Sequence, residues 1–290
     1  MKGWLIVNNF MKSAKFDEIY AYLKSAAEKE QIQLEILKTG ALPHSVNALK
    51  ERVQEADFAL FWDKDVVLAR QLEACGLRLF NSAAAIEKCD NKAFTAVELE
   101  RAGVPVPETY AAPLTFEGIR IDDFGFAEEA AEKLGFPLVI KENAGSFGKQ
   151  VYLASDMDDV KSIIEKIGHK GFILQRFIAE SSGRDVRVNV VGGKVICAML
   201  RESTDGDFRS NVTLGGHGKA YTVNKEQEAA ALAACDAMGL DFAGVDVLFG
   251  DGGKPVICEV NSNPHFKSTI DATGTDLSLY IMKHVKNVLG

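Results

Sequence analysis

The hydrophobic residues of the first 80 positions fall into four short runs separated by polar segments. The runs span residues 4–7, 34–37, 58–62 and 77–80. Between the first two runs, hydrophobic positions recur with helical spacing over residues 16–29. Strands that alternate with helices in this rhythm predict a small parallel α/β layer. The residues that follow the first run contain no glycine, so the layer lacks the Gly-x-Gly-x-x-Gly motif with which such folds bind NAD or FAD.

Charged side chains with two alternative roles follow the third run. Asp63 and Asp65 lie just beyond its end, where ligands bind in α/β folds, but capping of the next helix is the favoured role for one of them. Farther along, a Cys-Asp-Asn capping sequence opens a helical segment at residues 91–102. Lys92 falls in its first turn, where a cation is unfavourable to the helix dipole. Its side chain therefore either points to solvent or meets an anion.

The stretch 241–264 contains two β-branched runs joined by a glycine-rich turn at 250–253, which predicts a β-hairpin. If the outer glycines close the turn, Asp246 lies opposite Ile257. Strand alternation then adds to the face of Asp246 the residues Ile257, Glu259 and Asn261. The other face is apolar and is predicted to pack into the core; it comprises Val245, Val247, Val256, Cys258 and Val260.

The acids of this hairpin have two interpretations. Oxygen ligands that converge on one face indicate a Mg²⁺ site, because Mg²⁺ binds carboxylates and completes its shell with water and phosphate oxygens. Solvated acids on an edge hairpin are the alternative, which the hairpin pattern alone leaves open.

A second candidate site is a glycine-punctuated loop after a predicted strand. Lys141 ends that strand, Gly145 and Gly148 lie in the loop, and another strand follows at 151–154. Glycines allow backbone N–H groups to approach an anion closely, and the lysine supplies a positive charge. The loop does not match the Walker sequence, because Gly148-Lys149 is followed by Gln150 and a strand. An ordinary hairpin turn is equally compatible with this segment alone.

Two further segments carry polar residues in a pattern typical of strands and functional loops. Asp185, Arg187 and Asn189 share one face of the alternating strand 185–191. A polar face with both signs of charge usually faces solvent. The long, polar, glycine-rich loop at 206–218 favours a functional role, since such loops are costly to order without a ligand.

Composition narrows the class of protein. A chain of 290 residues with 47% hydrophobic and 26% charged residues predicts about two globular domains. Its net charge of -8 argues against a nucleic-acid partner. We expect no membrane span and no signal peptide, because the apolar runs are too short. The five cysteines are scattered without a Cys-x-x-Cys spacing, which disfavours zinc and disulfides and predicts a cytoplasmic protein.

The order of these features over about residues 85–280 resembles that of the ATP-grasp carboxylate-amine ligases, and within them the RimK-like group of alpha-L-glutamate ligase type. The resemblance implies a mixed α/β and α+β fold. A parallel α/β pre-domain would occupy residues 1–85, and a two-lobed ATP-grasp domain residues 86–290, with lobes at about 86–172 and 173–290. The first 80 residues match such a pre-domain only in layout.

The resemblance also implies roles for individual residues. Lys92 and Lys141 correspond to the phosphate lysines, and residues 145–150 to the loop that covers the phosphates. The implied nucleotide-binding residues are Lys92, Lys141, Gln175, Arg176, Phe177, Ile178, Asp185, Arg209, Ser210 and Asn211. The implied metal ligands, for two Mg²⁺ ions or alternatively Mn²⁺, are Asp246, Glu259 and Asn261. Lys141 and Arg209 are the residues expected to act in catalysis.

In family terms, the reaction is the ATP-dependent joining of a carboxylate to an amine through an acyl phosphate. Arg187, Arg201 and Arg209 are candidate substrate-binding residues, and they favour an acidic amino acid such as glutamate, or an acidic peptide or protein end. Their alternative role is to serve the phosphates or to pair with the nearby acids Asp185, Glu202 and Asp207. A homo-oligomer stays open, as do a ligase of the D-alanine or glutathione synthetase type and a nucleotide-binding module without turnover. Arg176 and Gln150 depart from the family pattern.

Overall fold

The computed structural model describes residues 1–145, 148–204, 206–210 and 217–290. Its first four strands are β1 (Lys2–Val7), β2 (Gln33–Lys38), β3 (Phe58–Trp62) and β4 (Arg78–Phe80). They form a parallel sheet in the order β2-β1-β3-β4. Three α-helices lie between them: α1 (Ala14–Lys29), α2 (Val46–Arg52) and α3 (Val66–Ala74). The parallel α/β layer predicted from the apolar runs is confirmed.

The central strand β3 shows why continuous apolar runs mark this sheet. Leu60 packs in one hydrophobic cluster with Leu23 of α1, whereas Phe61 packs in another cluster with Leu72 of α3. A strand covered on both faces needs apolar residues at every position rather than at alternate ones.

The next segment begins with two helices, α4 (Ala83–Asp90) and α5 (Lys92–Arg101). An antiparallel sheet follows, built from β5 (Thr109–Ala111), β6 (Leu138–Glu142), β7 (Val151–Ala154) and β8 (Phe172–Arg176). Its strand order is β5-β8-β6-β7. Helices α6 (Gly125–Leu134) and α7 (Met157–Ile167) complete its hydrophobic core.

The third sheet is also antiparallel. Its strands are β9 (Arg184–Val191), β10 (Lys194–Glu202), β11 (His217–Tyr221), β12 (Phe242–Phe249) and β13 (Pro255–Asn261), in the order β11-β10-β9-β12-β13. Helix α8 (Lys225–Met238) packs on one face of this sheet and shares a core with β9, β12 and β13. The chain ends with α9 (Lys267–Thr273) and α10 (Leu277–Leu289).

The hairpin of β12 and β13 forms as predicted, but its predicted register is wrong. Asp246 lies opposite Glu259, not Ile257, because the turn is one residue longer than expected and Cys258 is an extra residue in a β-bulge. Ile257 therefore packs in the core, and Cys258 lines the cleft described below, the reverse of the predicted faces. A bulge places two successive residues against one on the partner strand and so breaks the alternation.

The N-terminal sheet is tied to the rest of the chain by a buried asparagine and by the last helix. Asn81 is fully buried; its Nδ2 donates to the carbonyls of Phe242 and Ser262, and its Oδ1 accepts from the N–H of Asp241. Residues of α10, such as Ile281, complete the core between β1 and α1. Among the helices within the described residues, none is both long and apolar enough to cross a membrane.

Candidate active site

A cleft of about 820 Å³ is lined by residues from all three sheets. It brings together every sequence-predicted site residue that lies within the described ranges. Asn211 and part of the loop 145–150 lie outside the described residues. The roles that the sequence assigns to these side chains stay predictions, and their contacts are described below.

Asp246 of β12 is a buried carboxylate between two arginines. It is 4% exposed and lies opposite Arg187 of β9. Its Oδ1 accepts from Arg187 Nε, and its Oδ2 accepts from Arg187 Nη2 at 2.9 Å. Arg201 of β10 forms a second ion pair, with Nη2 at 2.9 Å from Asp246 Oδ1. Burial opposes ionisation, but the two guanidinium groups outweigh it and hold the pKa of Asp246 below its ordinary value.

Arg201 in turn lies between two carboxylates. Its Nε donates to Asp185 Oδ1 at 2.6 Å, and its Nη2 contacts both Asp185 and Asp246. Burial acts to lower the pKa of Arg201, but the carboxylates of Asp185 and Asp246 outweigh burial and raise that pKa. Asp185 and Arg187 on the polar face of β9 therefore line the cleft, and Asn189 on the same face is buried beside Thr269 of α9. The expectation of a solvent-exposed face is wrong.

Glu259 and Asn261 lie on the strand next to Asp246. The Glu259 side chain is 35% exposed, and its Oε1 is 3.8 Å from Lys92 Nζ. Lys92 Nζ also donates to the carbonyl of Gly145 at 3.2 Å. Asn261 Nδ2 donates to the carbonyl of Gly244 at 3.3 Å. Lys92, in the first turn of α5, thus faces Glu259 of the hairpin. This agrees with the second predicted alternative, in which its side chain meets an anion rather than pointing to solvent.

Lys141 enters the cleft from β6 and is 8% exposed. Its Nζ donates to Cys258 Sγ at 3.4 Å. Burial raises the pKa of the Cys258 thiol, and Lys141 opposes this rise only in part. The raised pKa disfavours a thiolate at Cys258, so its contact with Lys141 is a hydrogen bond rather than an ion pair.

Arg209 bridges two loops at the cleft. Its Nη1 donates to the carbonyl of Gly148 at 2.8 Å, and its Nε donates to Asp207 Oδ1 at 3.0 Å. Hydrogen bonds from Arg209 lower the pKa of Asp207. Gly148 has a φ of 71°, a conformation that favours glycine. Ser210 follows on the cleft wall and is 9% exposed.

The comparison with known proteins decides the family. Residues 90–285 match the family model described as "RimK-like ATP-grasp domain".

The chain belongs to the RimK-like ATP-grasp family.

Curated relatives agree with this assignment. "Beta-citrylglutamate synthase B" of Danio rerio is 39% identical over 228 residues, which are 78% of this chain and 55% of that protein. "Probable alpha-L-glutamate ligase" of Trichodesmium erythraeum is 34% identical over 278 residues, which are 94% of this chain and 88% of that protein. The chain thus spans little more than half of the synthase's length. The crystal structure of D-cycloserine synthetase DcsG has the same fold, with a TM-score of 0.78 at 17% identity over the whole of both chains.

Members of the ATP-grasp family use ATP with a divalent metal ion. Within the ranges that the structure describes, no group of three or more His, Cys, Asp or Glu side chains could hold a metal. The cleft does offer the oxygens of Asp246, Glu259 and Asn261, close to Lys92 and Lys141. Two carboxylates and an amide fit Mg²⁺, which binds few protein ligands and takes others from phosphate.

In this RimK-like chain, Gln175 and Arg176 both form structural hydrogen bonds, and Arg176 is one of the residues that depart from the family pattern. Gln175 Nε2 donates to Thr109 Oγ1 at 2.9 Å. Arg176 donates from Nη1 and Nη2 to the carbonyls of Leu134 and Lys133, each at 2.9 Å, and so secures the C-terminal end of α6.

The two acids after β3 take the two roles between which the sequence left a choice, and capping of the next helix by one of them is confirmed. Asp65 caps α3 by accepting from the N–H of Leu68 at 2.9 Å, whereas Asp63 lines the cleft together with Asn263 and Asn8. The position of Asp63 at the carboxyl end of β3 was the available signal. Asn263 could not be linked to it from sequence, because the two residues are 200 positions apart.

Proposed function

We propose that this protein is an ATP-dependent ligase that joins a carboxylate to an amine. The observation that carries the proposal is the convergence of two lysines, two carboxylates and an amide in one cleft of a RimK-like ATP-grasp chain. Both curated relatives described above are named for glutamate-containing products or substrates. Glutamate, or a peptide that carries an acidic residue, is therefore the amino-acid substrate proposed for this chain.

ATP enters this scheme as the phosphoryl donor. The main chain of residues 175–178 would hold the adenine, and Asp185 would lie beside the nucleoside. Lys92 and Lys141 reach the cleft from α5 and β6 and would place positive charge on the phosphates. Arg209 already spans two loops of the cleft, so it is suited to hold the phosphate-covering loop closed. Such positioning and charge neutralisation supply most of the catalysis in phosphoryl transfer.

Magnesium would be held by Asp246, Glu259 and Asn261, and we propose two ions. When bound, Mg²⁺ neutralises phosphate charge and orients the transferred group. Asp246 has two guanidinium partners in this structure. If Arg187 releases Asp246, Arg201 stays paired with that carboxylate, so the release leaves no buried acid without a counter-charge. The freed guanidinium of Arg187 can then bind a phosphate or a substrate carboxylate.

Among the three candidate substrate arginines, Arg187 is favoured for this reason. Arg201 is held by Asp185 and Asp246, and Arg209 is held by Asp207 and the carbonyl of Gly148. Removing Arg201 would therefore disturb buried acids before it tested a substrate contact.

The test is a substrate screen of the purified chain with ATP and Mg²⁺. Pairs of one carboxylate (citrate, N-acetylated acidic amino acids or a short acidic peptide) and one amino acid are assayed for ADP release and for a ligated product by mass spectrometry. We expect ADP release that requires both partners, with glutamate used better than glutamine. Tight ATP binding without product from any pair would support a nucleotide-binding module instead. Product from D-alanine alone would favour the D-alanine ligase alternative.

A further inference from the structure

Asp63 is a buried carboxylate at the end of the cleft formed by the N-terminal sheet. It is 7% exposed and follows β3 directly. Its Oδ1 accepts from the N–H groups of Lys64 at 2.6 Å and Asp65 at 3.2 Å, and from Asn8 Nδ2 at 3.4 Å. Its Oδ2 is buried and has no hydrogen-bond donor among the described residues. Oδ1 therefore stabilises the loop after β3, whereas Oδ2 can accept a hydrogen bond from a bound ligand.

Asn263, which follows β13, also has one hydrogen-bonded side-chain atom and one buried oxygen without a donor among the described residues. Its Nδ2 donates to the main-chain carbonyl of Asp63 at 3.0 Å, which fixes the side chain against the loop after β3. Its Oδ1 is buried and has no donor within the described ranges. A buried acceptor without a donor costs about 1–3 kcal/mol. Two such acceptors in one cleft, held by separate parts of the chain, indicate a ligand that donates several hydrogen bonds.

The charge of Asp63 narrows the kind of donor. Burial raises the pKa of its carboxyl, and the hydrogen bonds to Oδ1 offset this rise only in part. Burial, followed by the negative charges of Asp63 and Asp17, also raises the pKa of Tyr20 to about 12. A cationic donor relieves the cost at Asp63, because it supplies a hydrogen bond to Oδ2 and neutralises the buried carboxylate.

The path of β13 places this pair in relation to the proposed reaction centre. From Glu259 and Asn261 the chain continues to Asn263, which contacts the N-terminal sheet. Residues 175–178, which are proposed to hold the adenine, line the same cleft at the end of β8, a strand of the other antiparallel sheet. Asp63 and Asn263 therefore reach the cleft from the end of β3 and from the segment after β13, whereas residues 175–178 reach it from β8. We assign the first of these parts of the cleft to the substrates and the second to the nucleotide.

We propose that Asp63 and Asn263 bind the amino group of the amine substrate. This inference rests on the proposed ligase function and deepens it. Asp63 Oδ2 and Asn263 Oδ1 accept hydrogen bonds from the ammonium or amine and hold it beside the acyl group that it joins. Glutamate is then recognised at two points, through its amino group here and through its carboxylates by arginine.

The informative variant is Asp63→Asn. It keeps an oxygen for the N–H groups of Lys64 and Asp65, so the loop is preserved, and it replaces the accepting oxygen with an amide that donates. Asp65→Asn is the matched control. It changes the same residue type two positions away, and Asn caps helices as well as Asp. Asp65 does not line the cleft.

The kinetic experiment compares KM for L-glutamate and for ATP in the wild type and in both variants. We expect Asp63→Asn to raise KM for glutamate roughly 10-fold or more, as expected for the loss of a charge-assisted hydrogen bond. KM for ATP should change less than about two-fold, and Asp65→Asn should resemble the wild type. An unchanged KM for glutamate, or an equal rise for ATP, would overturn the assignment.

Glutarate separates recognition of the amino group from that of the carboxylates, because it is glutamate without the amine. As an inhibitor it should bind the wild type and Asp63→Asn equally well. The wild type should prefer glutamate to glutarate, and Asp63→Asn should lose this preference. If both enzymes discriminate equally, a water molecule rather than substrate satisfies Asp63, and the proposal fails.

Failure of the ligase function would be seen separately. If the wild type makes no product, thermal shifts with glutamate and with glutarate are measured in the presence of Mg²⁺ and a non-hydrolysable ATP analogue. A larger shift with glutamate that disappears in Asp63→Asn still supports the subsite. If the difference between the glutamate and glutarate shifts is the same in the wild type and in Asp63→Asn, the subsite is rejected.

Discussion

Asp63 and Asp246 are buried carboxylates that line the same cleft, 7% and 4% exposed, yet their surroundings differ. Asp246 is paired with two guanidinium groups, whereas Asp63 accepts backbone N–H groups and an amide at one oxygen only. Burial raises the pKa of Asp63, but at Asp246 the arginines reverse the effect and lower the pKa. The arginines thus stabilise the Asp246 carboxylate in the fold before any ligand binds, whereas the unpaired oxygen of Asp63 indicates a position for a hydrogen-bond donor of a ligand.

The largest effect on stability should come from removing Arg201, one of the two guanidinium groups paired with Asp246. Arg201→Ala leaves Asp185 and Asp246 with less compensation in a buried setting, so we expect a loss of about 3–5 kcal/mol in the free energy of unfolding. Urea unfolding measures it. Arg120→Ala is the control, since Arg120 is an exposed residue whose pair with Glu165 should contribute little. A loss below about 1 kcal/mol would show that the Arg201 pairs do not support the fold.

Glu259→Gln tests the proposed metal site and leaves the ion pairs between Asp246 and the arginines intact. The residue lies opposite Asp246 but is partly exposed, so stability should change little. Turnover should fall by roughly 10²–10³-fold, because a charge needed to hold Mg²⁺ is lost. Asp251→Asn, at the exposed tip of the same hairpin, should keep wild-type turnover. Normal Mg²⁺-dependent turnover in Glu259→Gln would remove this residue from the metal site.

The parallel sheet and the polar face of the hairpin could be predicted from sequence. The apolar runs defined the parallel sheet because strands buried on both faces need continuous hydrophobic residues. The hairpin placed Glu259 and Asn261 on the face of Asp246. Pairing with nearby acids was the alternative role of the arginines, and the pairs of Arg201 with Asp185 and of Arg209 with Asp207 do form. The pairs with Asp246 were not predicted, because they depend on the register of three strands: Arg201 lies opposite Asp185, and Arg187 lies opposite Asp246.

Two other features depend on contacts that local patterns do not reveal. The bulge at Cys258 adds one residue without a Gly or Pro signal, and it exchanges the predicted positions of Ile257 and Cys258. Asp63 and Asp65 look alike in the sequence, but Asp65 caps a helix and Asp63 meets Asn263 from the other end of the chain.

A smaller effect distinguishes the two acids by the sign of their contribution to stability. The raised pKa of Asp63 means that its ionised form destabilises the fold above that pKa. This cost disappears as the pH falls through the folded pKa. Asp63→Asn should therefore raise the melting temperature at neutral pH, and the difference should shrink at lower pH. Equal melting temperatures for the wild type and Asp63→Asn across this range would contradict the cost assigned to Asp63.

Asp246→Asn should have the opposite effect. The lowered pKa of Asp246 gives stability that is present above the unfolded value of about 3.9 and is lost as the pH falls through the lower folded pKa. The variant should therefore melt at a lower temperature at neutral pH, and the difference should shrink only in strong acid. Shifts of the same sign in both variants would break the comparison. Thermal melts from pH 3 to 8, without nucleotide, provide both measurements.

The most direct test of the ligase proposal follows oxygen rather than nitrogen. In the proposed reaction a carboxylate oxygen attacks the γ-phosphorus of ATP, and that oxygen leaves with phosphate when the amine forms the amide. Each substrate of a productive pair is therefore labelled with ¹⁸O in its carboxylates in turn, and the released phosphate is analysed by mass spectrometry. We expect one ¹⁸O atom in the phosphate for each amide formed, from one of the two substrates. Unlabelled phosphate from both experiments would contradict activation through an acyl phosphate.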